Sequence, residues 1–412
     1  MGTELVLRGR IVTASLDIAD GVVAADGGLV TFAGPARDFP GVLPPKAPAG
    51  QVLVPGLVDV HCHGAFGSDF SEGDPGDAER AARYLHSRGT TTLVASLVTG
   101  KPENLVRNLG VLRELAGLGL IAGSHLEGPF LSDQQCGAHD PALLLKPDGE
   151  LVARLLAAAG PTLASMTLAA ELPGAFELVD QLTARGMIPS LGHTAADSAT
   201  AAAFLARAVS GLNVAGNPGG KKRPSVTHLF NAMPPLHHRS PGPVSASLSA
   251  ARAGTAVVEL IADGVHLAPE TVKLVFDLVG PQNIALVTDS MAATGLEDGR
   301  YRLGSLAVTV SGGVARVDAT GAIAGGTSTL LDVVRCCVAA GVPLRDAVTS
   351  ASAVPASLLG LSAHAGDLRT GMQADVVVLD GDLDLAAVWR RGEQVSAPGT
   401  ASASGLEPEG QS

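Results

Sequence analysis

From about residue 55 to residue 365, apolar runs of strand length alternate with Ala- and Leu-rich stretches of helical length. This alternation restricts the chain to a fold built on a parallel sheet. The apolar runs include 92–97, 119–125, 166–170, 187–191, 257–261 and 284–287; the helical candidates include 78–88, 102–118, 149–159, 174–185 and 197–209. The runs are continuously apolar, as strands buried on both faces are. A chain of 412 residues accommodates a (β/α)8 barrel of ~250 residues and a smaller domain.

The two ends read differently. Before Pro55, short strands at 5–7, 10–12, 21–23 and 29–32 are broken by turns, and Asp26-Gly27-Gly28 is a hairpin signal. Strand-like runs return at 374–380 and 387–389. The expected organisation is a small β-sandwich domain from residues 1–54 and 366–395, with a TIM-type barrel over 55–365 inserted between them. Residues 396–412, rich in Ser, Gly, Pro and Glu, read as a disordered tail. Segment 211–224 reads as an exposed loop, and its Lys221-Lys222-Arg223 as solvated charge.

Composition narrows the function. Hydrophobic residues make up 46% and charged residues 17%, which argues against disorder. A net charge of −12 excludes a broad basic surface for nucleic acid, so an anionic ligand requires a local group of cations. The four cysteines form no CxxC and no disulfide framework, which points to a reducing compartment. No signal peptide and no apolar span of ~20 residues is visible, so the expected location is the cytoplasm, away from membranes.

The chemistry lies at the ends of the apolar runs. His61 and His63 alternate, so on a strand both face the same way. Glu127, His193, His228 and Asp289 each close or follow a later run. A barrel gathers the C-terminal ends of its strands at one rim. Imidazoles and carboxylates meeting there describe a divalent metal site that activates water. Singly, His193 or His228 would pass for a buried packing histidine, Glu127 for a turn residue and Asp289 for a helix cap. Beside a metal-bound water, Asp289 would instead shuttle its proton. Such ligands suit zinc, iron(II), manganese or cobalt; zinc is the expected ion.

These residues, with the segments His125-Leu126-Glu127-Gly128-Pro129-Phe130, Gly137-Ala138-His139, Thr227-His228-Leu229-Phe230-Asn231-Ala232-Met233 and Ala262-Asp263-Gly264-Val265-His266, are where the chain resembles the N-acetylglucosamine-6-phosphate deacetylases of the metal-dependent amidohydrolase superfamily. The likeness runs from about residue 5 to residue 390. It implies that Glu127, His193 and His228 hold the main metal and that His61 and His63 build a second site, giving one or two ions per subunit. It implies Asp289 as general acid/base and further metal ligand, and His266 as the group that polarises the acetyl carbonyl. It also implies sugar contact by His139, phosphate-side contacts by Asn231 and the Ala232 backbone, and Arg239 reaching the phosphate from the neighbouring subunit of a homodimer. His238 stands where the family often has glycine, and Cys136 where many relatives carry a charged residue. The alternative is another hydrolase of that superfamily, acting on a cyclic amide or an N-acyl amino compound; the cyclic-amide hydrolases are disfavoured because no lysine lies between Lys146 and Lys221 to bridge two metals. A deaminase lacks its acidic motif here. A catalytically inactive binding barrel would be expected to have lost ligands that this chain keeps.

Overall fold

The computed structural model describes residues 5–214 and 222–396. Eight parallel strands form one sheet in chain order: Leu57–Cys62, Thr90–Val98, Gly123–Glu127, Leu163–Leu168, Ile188–Leu191, Ser225–Val226, Val257–Leu260 and Ile284–Leu286, here barrel strands 1 to 8. The first and last meet just past their ends. Cys62 bridges Ser290, the Asp289 N–H donates to the His61 carbonyl at 2.9 Å, and the His63 N–H donates to the Ser290 carbonyl at 2.8 Å. These contacts close the sheet into a (β/α)8 barrel whose seam runs through candidate site residues.

A helix follows every strand. The helices after strands 1 to 5 are Pro75–Ser87, Pro102–Gly117, Gly149–Ala159, Ala175–Thr183 and Ser198–Leu212; Gly242–Arg252, Pro269–Val279 and Leu330–Ala339 follow strands 6 to 8. Several starts are written locally. Asp74, Asp148 and Asp197 accept hydrogen bonds from the backbone N–H three residues on, and Thr329 with Asp332 makes a capping box. Leu85, Leu109, Leu112, Leu155 and Phe204 are fully buried in the core that these helices share with the outer face of the barrel.

The chain ends interleave in a seven-stranded sheet. Its order is Glu393–Gln394, Leu385–Arg390, Val376–Leu379, Val52–Pro55, Leu5–Val12, Asp17–Asp26, Leu29–Pro35. Val376–Leu379 runs antiparallel to Val52–Pro55, so the last part of the chain lies against the segment that leads into the barrel.

Four local readings differ from the sequence expectation. Strand 3 begins at Gly123 rather than 119, because Gly119 turns with φ of 71° and closes the preceding helix. Strand 6 is only two residues long, too short to give an apolar run. A three-stranded antiparallel sheet, Gly299–Leu303, Leu306–Ser311 and Val314–Val317, follows strand 8 and packs with Val98 and Met291 beside the barrel mouth. Nor is Arg223 solvated charge: it is partly buried, and its guanidinium donates to Asn283 Oδ1 at 2.8 Å. Residues 215–221 of the proposed loop, and 397–412 of the proposed tail, lie outside the described residues. No helix among the described residues is long and apolar enough to cross a membrane.

Gly56 is the joint between the sheet of the chain ends and barrel strand 1, and its N–H donates to the Asp375 carbonyl at 2.8 Å. A Cβ there would lie 2.0 Å from Thr91 Oγ1 and 2.8 Å from Asp375 Cβ. Gly56→Ala is therefore expected to destabilise the protein by about 1–3 kcal/mol through overpacking, read as a lower denaturant midpoint. An unchanged midpoint would show that the joint is not close-packed.

Candidate metal centre

Glu127 closes barrel strand 3 and is 3% exposed. Burial alone would hold its carboxyl protonated, yet surrounding imidazoles, His61 and His139 foremost, keep its pKa well below the usual range. Its Oε1 lies 2.9 Å from His228 Nε2, 3.1 Å from His193 Nε2 and 3.5 Å from His61 Nε2. Its Oε2 lies 3.1 Å from His63 Nε2 and 3.3 Å from His139 Nε2. The Asp289 Oδ1 lies 3.1 Å from His63 Nε2 and 3.4 Å from His61 Nε2. Within each histidine pair, His61 with His63 and His193 with His228, the Nε2 atoms are 3.0 Å apart.

This donor set fits metal. Nitrogens 3.0 Å apart that face one carboxylate cannot all carry protons without repulsion. Donors ~2.0–2.2 Å from a shared ion adopt such spacings. Among the described residues, two groups of side chains have donor atoms close enough for an ion: His61, His63, Glu127 and Asp289; and Glu127, His139 and His193. The tautomers separate ligands from neighbours. His193 Nδ1 donates to the Gln135 carbonyl at 2.9 Å, leaving Nε2 with its lone pair toward Glu127. His139 Nδ1 instead accepts the Thr99 N–H at 3.3 Å, so the proton of the neutral ring sits on Nε2. His139 is thus a hydrogen-bond donor to Glu127 or to a ligand, close to the ion position but turned the wrong way to coordinate.

The field is built for a cation. Burial would lower the pKa of His63, but hydrogen bonds to Asp289 and Glu127 outweigh it and push the value up to about 9. Burial would raise the Asp289 pKa; the positive charge of His61 and the His63 hydrogen bond lower it instead. A proton and a divalent ion compete for the same lone pairs, so metal binding must release protons.

Backbone conformation aims several of these groups. His193, His228, Ala232 and Asp289 have φ of 46°, 29°, 51° and 48°, in the left-handed region. Such positions each cost about 1–3 kcal/mol and gather at functional sites. His193, His228 and Asp289 lie just past the ends of their strands, and all four residues line a cavity of about 230 Å³. His63, Glu127, His139, His193, His228, Asn231, Ala232, His266 and Asp289 line that cavity. His266 Nδ1 lies 2.8 Å from Asp263 Oδ2, and Asp263 Oδ1 accepts the backbone N–H groups of Val265 and His266. Burial opposes charge on His266, but the Asp263 hydrogen bond prevails and raises its pKa.

His61 lies just beneath the cavity floor, fully buried. Arg239 is exposed, its backbone N–H donates to His237 Nδ1 at 3.3 Å, and it does not line this cavity. His238 is exposed with its ring beside His237, and Cys136 is half-buried beside the cavity residue Gly137.

The supporting roles of four residues escaped the sequence reading. Glu259 accepts from His61 Nδ1 at 3.2 Å. Asp59 takes the His61 N–H and the Thr288 hydroxyl, at 3.2 and 2.6 Å. His125 lies between Ser96 Oγ and Thr167 Oγ1, with its ring edge-on to His61, and burial keeps its pKa well below normal. Asp263 orients His266. Two-residue alternation was the available signal: Asp59, His61 and His63 share a face, as do His125 and Glu127. A lone glutamate inside the apolar run at 257–261 was another.

Eight parallel strands that bring imidazoles and carboxylates together at one rim define the class of barrel hydrolases that work through a divalent metal. The amidohydrolase family profile matches residues 52–408. Human N-acetylglucosamine-6-phosphate deacetylase is 37% identical over 357 residues, 84% of each chain. The N-acetylgalactosamine-6-phosphate deacetylase of Escherichia coli O157:H7 is 33% identical over 84% of this chain and 88% of its own. A mutant N-acetyl-D-glucosamine-6-phosphate deacetylase from Mycobacterium smegmatis, solved with N-acetyl-D-glucosamine-6-phosphate, is 39% identical and matches the fold with a TM-score of 0.86; the match covers 96% of this chain and 100% of that one. The chain belongs to the amidohydrolase family and, within it, groups with the N-acetylglucosamine-6-phosphate deacetylases.

Glu127 is the carboxylate that both histidine pairs share. Glu127→Gln is expected to leave the purified protein with less bound metal than wild type by elemental analysis. Full wild-type metal content in that variant would contradict the assignment.

Proposed function

We propose that the protein hydrolyses the acetamide of N-acetylglucosamine 6-phosphate to glucosamine 6-phosphate and acetate. The observation that carries this reading is the shared Glu127 carboxylate with Asp289 Oδ1 3.1 Å from His63, on a chain 37% identical to a deacetylase of that substrate. Glu127, His193 and His228 would hold the main ion, and His61 and His63 with Asp289 a second. Zinc is the expected metal, and iron, manganese or cobalt would also suit these donors. Bound there, the ion lowers the pKa of water toward neutrality and polarises the acetyl carbonyl.

The chain's own residues do the rest. Asp289, held anionic by the neighbouring imidazoles, accepts the proton of the attacking water and passes it to the departing amine. His266, charged and anchored by Asp263, donates to the carbonyl oxygen as negative charge develops on it. His139 offers its Nε2–H to the sugar. Asn231 and the Ala232 backbone stand on the phosphate side. Arg239, outside the cavity of its own subunit, fits a role across a homodimer interface as the local cation that an acidic protein needs for a sugar phosphate. A cytoplasmic location accords with free cysteines and a phosphorylated substrate. The galactose-configured substrate is the second reading, favoured by the 33% identical relative that acts on it.

Three substrates test the proposal: N-acetylglucosamine 6-phosphate, its unphosphorylated form and N-acetylgalactosamine 6-phosphate. The first is expected to give the highest kcat/KM. Preference for the galactose epimer would move the assignment to the second reading, and no release of acetate from any of them would refute both. Asp289→Asn is expected to lose ~10²-fold or more in kcat, the usual scale of general acid–base help; wild-type turnover would remove Asp289 from the mechanism. Arg239→Ala is expected to raise KM for the phosphorylated substrate by about 10-fold or more, the scale of one charged hydrogen bond. An unchanged KM would remove Arg239 from phosphate recognition.

A further inference from the structure

Of the two histidines at the end of barrel strand 1, only His61 has a partner for its outer nitrogen. His61 Nδ1 lies 3.2 Å from Glu259 Oε2, whereas His63 Nδ1 has no hydrogen-bond partner among the described residues. Glu259 is 4% exposed and lies on barrel strand 7, among Val257, Val258 and Leu260. A carboxylate is costly to bury in such a run unless it is hydrogen-bonded. No other side chain among the described residues bonds to it.

We propose that Glu259 is the positioning residue that makes the His61–His63 half of the centre a metal position. The inference rests on the deacetylase reading and extends it. A neutral imidazole carries one proton. The Nε2 of His61 faces Glu127 Oε1 at 3.5 Å and Asp289 Oδ1 at 3.4 Å, so without Glu259 the proton settles on Nε2 and points at them. That tautomer cannot coordinate. Glu259 draws the proton to Nδ1 and leaves the Nε2 lone pair facing the ion position. Asp59, by accepting the His61 N–H at 3.2 Å, holds the backbone in register while the ring is turned. His193, in the other pair, has its own anchor in the Gln135 carbonyl, so its ring orientation does not depend on Glu259.

The test uses the full-length protein loaded with zinc. Wild type is expected to bind two zinc ions per subunit. Glu259→Leu is expected to bind the weaker ion about 10–100-fold less tightly, the usual scale of an outer carboxylate, and the tighter ion as wild type does. Glu259→Gln, whose amide oxygen still accepts the Nδ1 proton, is expected to restore most of the loss. Should Glu259→Leu fail to fold, nitrogen NMR of His61 in zinc-loaded wild type decides, with the proton expected on Nδ1. Two ions bound with wild-type affinity by folded Glu259→Leu, or a His61 proton on Nε2, would overturn the inference. A wild type that binds a single ion yet releases acetate from the sugar phosphate would also overturn it, while leaving the deacetylase reading intact.

Discussion

One buried carboxylate organises this molecule. Glu127 sits at the end of barrel strand 3 with five imidazole nitrogens within 3.5 Å of its two oxygens. An ion-free carboxylate so far from water is unfavourable unless its charge is matched. The surrounding histidines cannot all share protons with it at these spacings. A bound divalent ion would resolve the crowding, and the strands hold the histidines where such an ion needs them.

The closure of the barrel and the construction of the site are the same event. Strands 1 and 8 do not pair along their length. They join through His61, Cys62, His63, Asp289 and Ser290, with Asp59 and Thr288 linked by side chains beneath. Asp289 therefore has two tasks: its backbone closes the sheet and its carboxylate faces the metal position. This economy has a structural cost, visible in the left-handed backbone of Asp289, His193 and His228. The close packing around these residues supplies the stability that offsets such strain.

The barrel was legible in the sequence because buried parallel strands are continuous apolar runs and helices carry their own caps. Helix Gly149–Ala159 could be bounded to the residue, since Asp148 and Gly160 mark its ends. Strand 6 was not legible, because two residues carry no periodicity; only His228 beyond it marked the place. The antiparallel sheet at 299–317 was missed for a related reason: its strands are short and half-exposed, and nothing local says that they pack against Val98. In the site, residue types at strand ends pointed to metal chemistry, and the roles of individual residues came from family resemblance. What sequence could not reveal was hydrogen-bond direction. His139 and His193 look alike as letters. They differ because one accepts the Thr99 N–H while the other donates to the Gln135 carbonyl.

The account stands or falls on metal seated at Glu127. Anomalous X-ray diffraction from crystals of the purified protein, recorded on both sides of the absorption edge of the bound element, observes this directly. The expected result is a peak within coordinating distance of Glu127, His193 and His228, with a second beside His61, His63 and Asp289. A fully folded protein with no anomalous peak at Glu127 after incubation with zinc, iron(II), manganese and cobalt would contradict it.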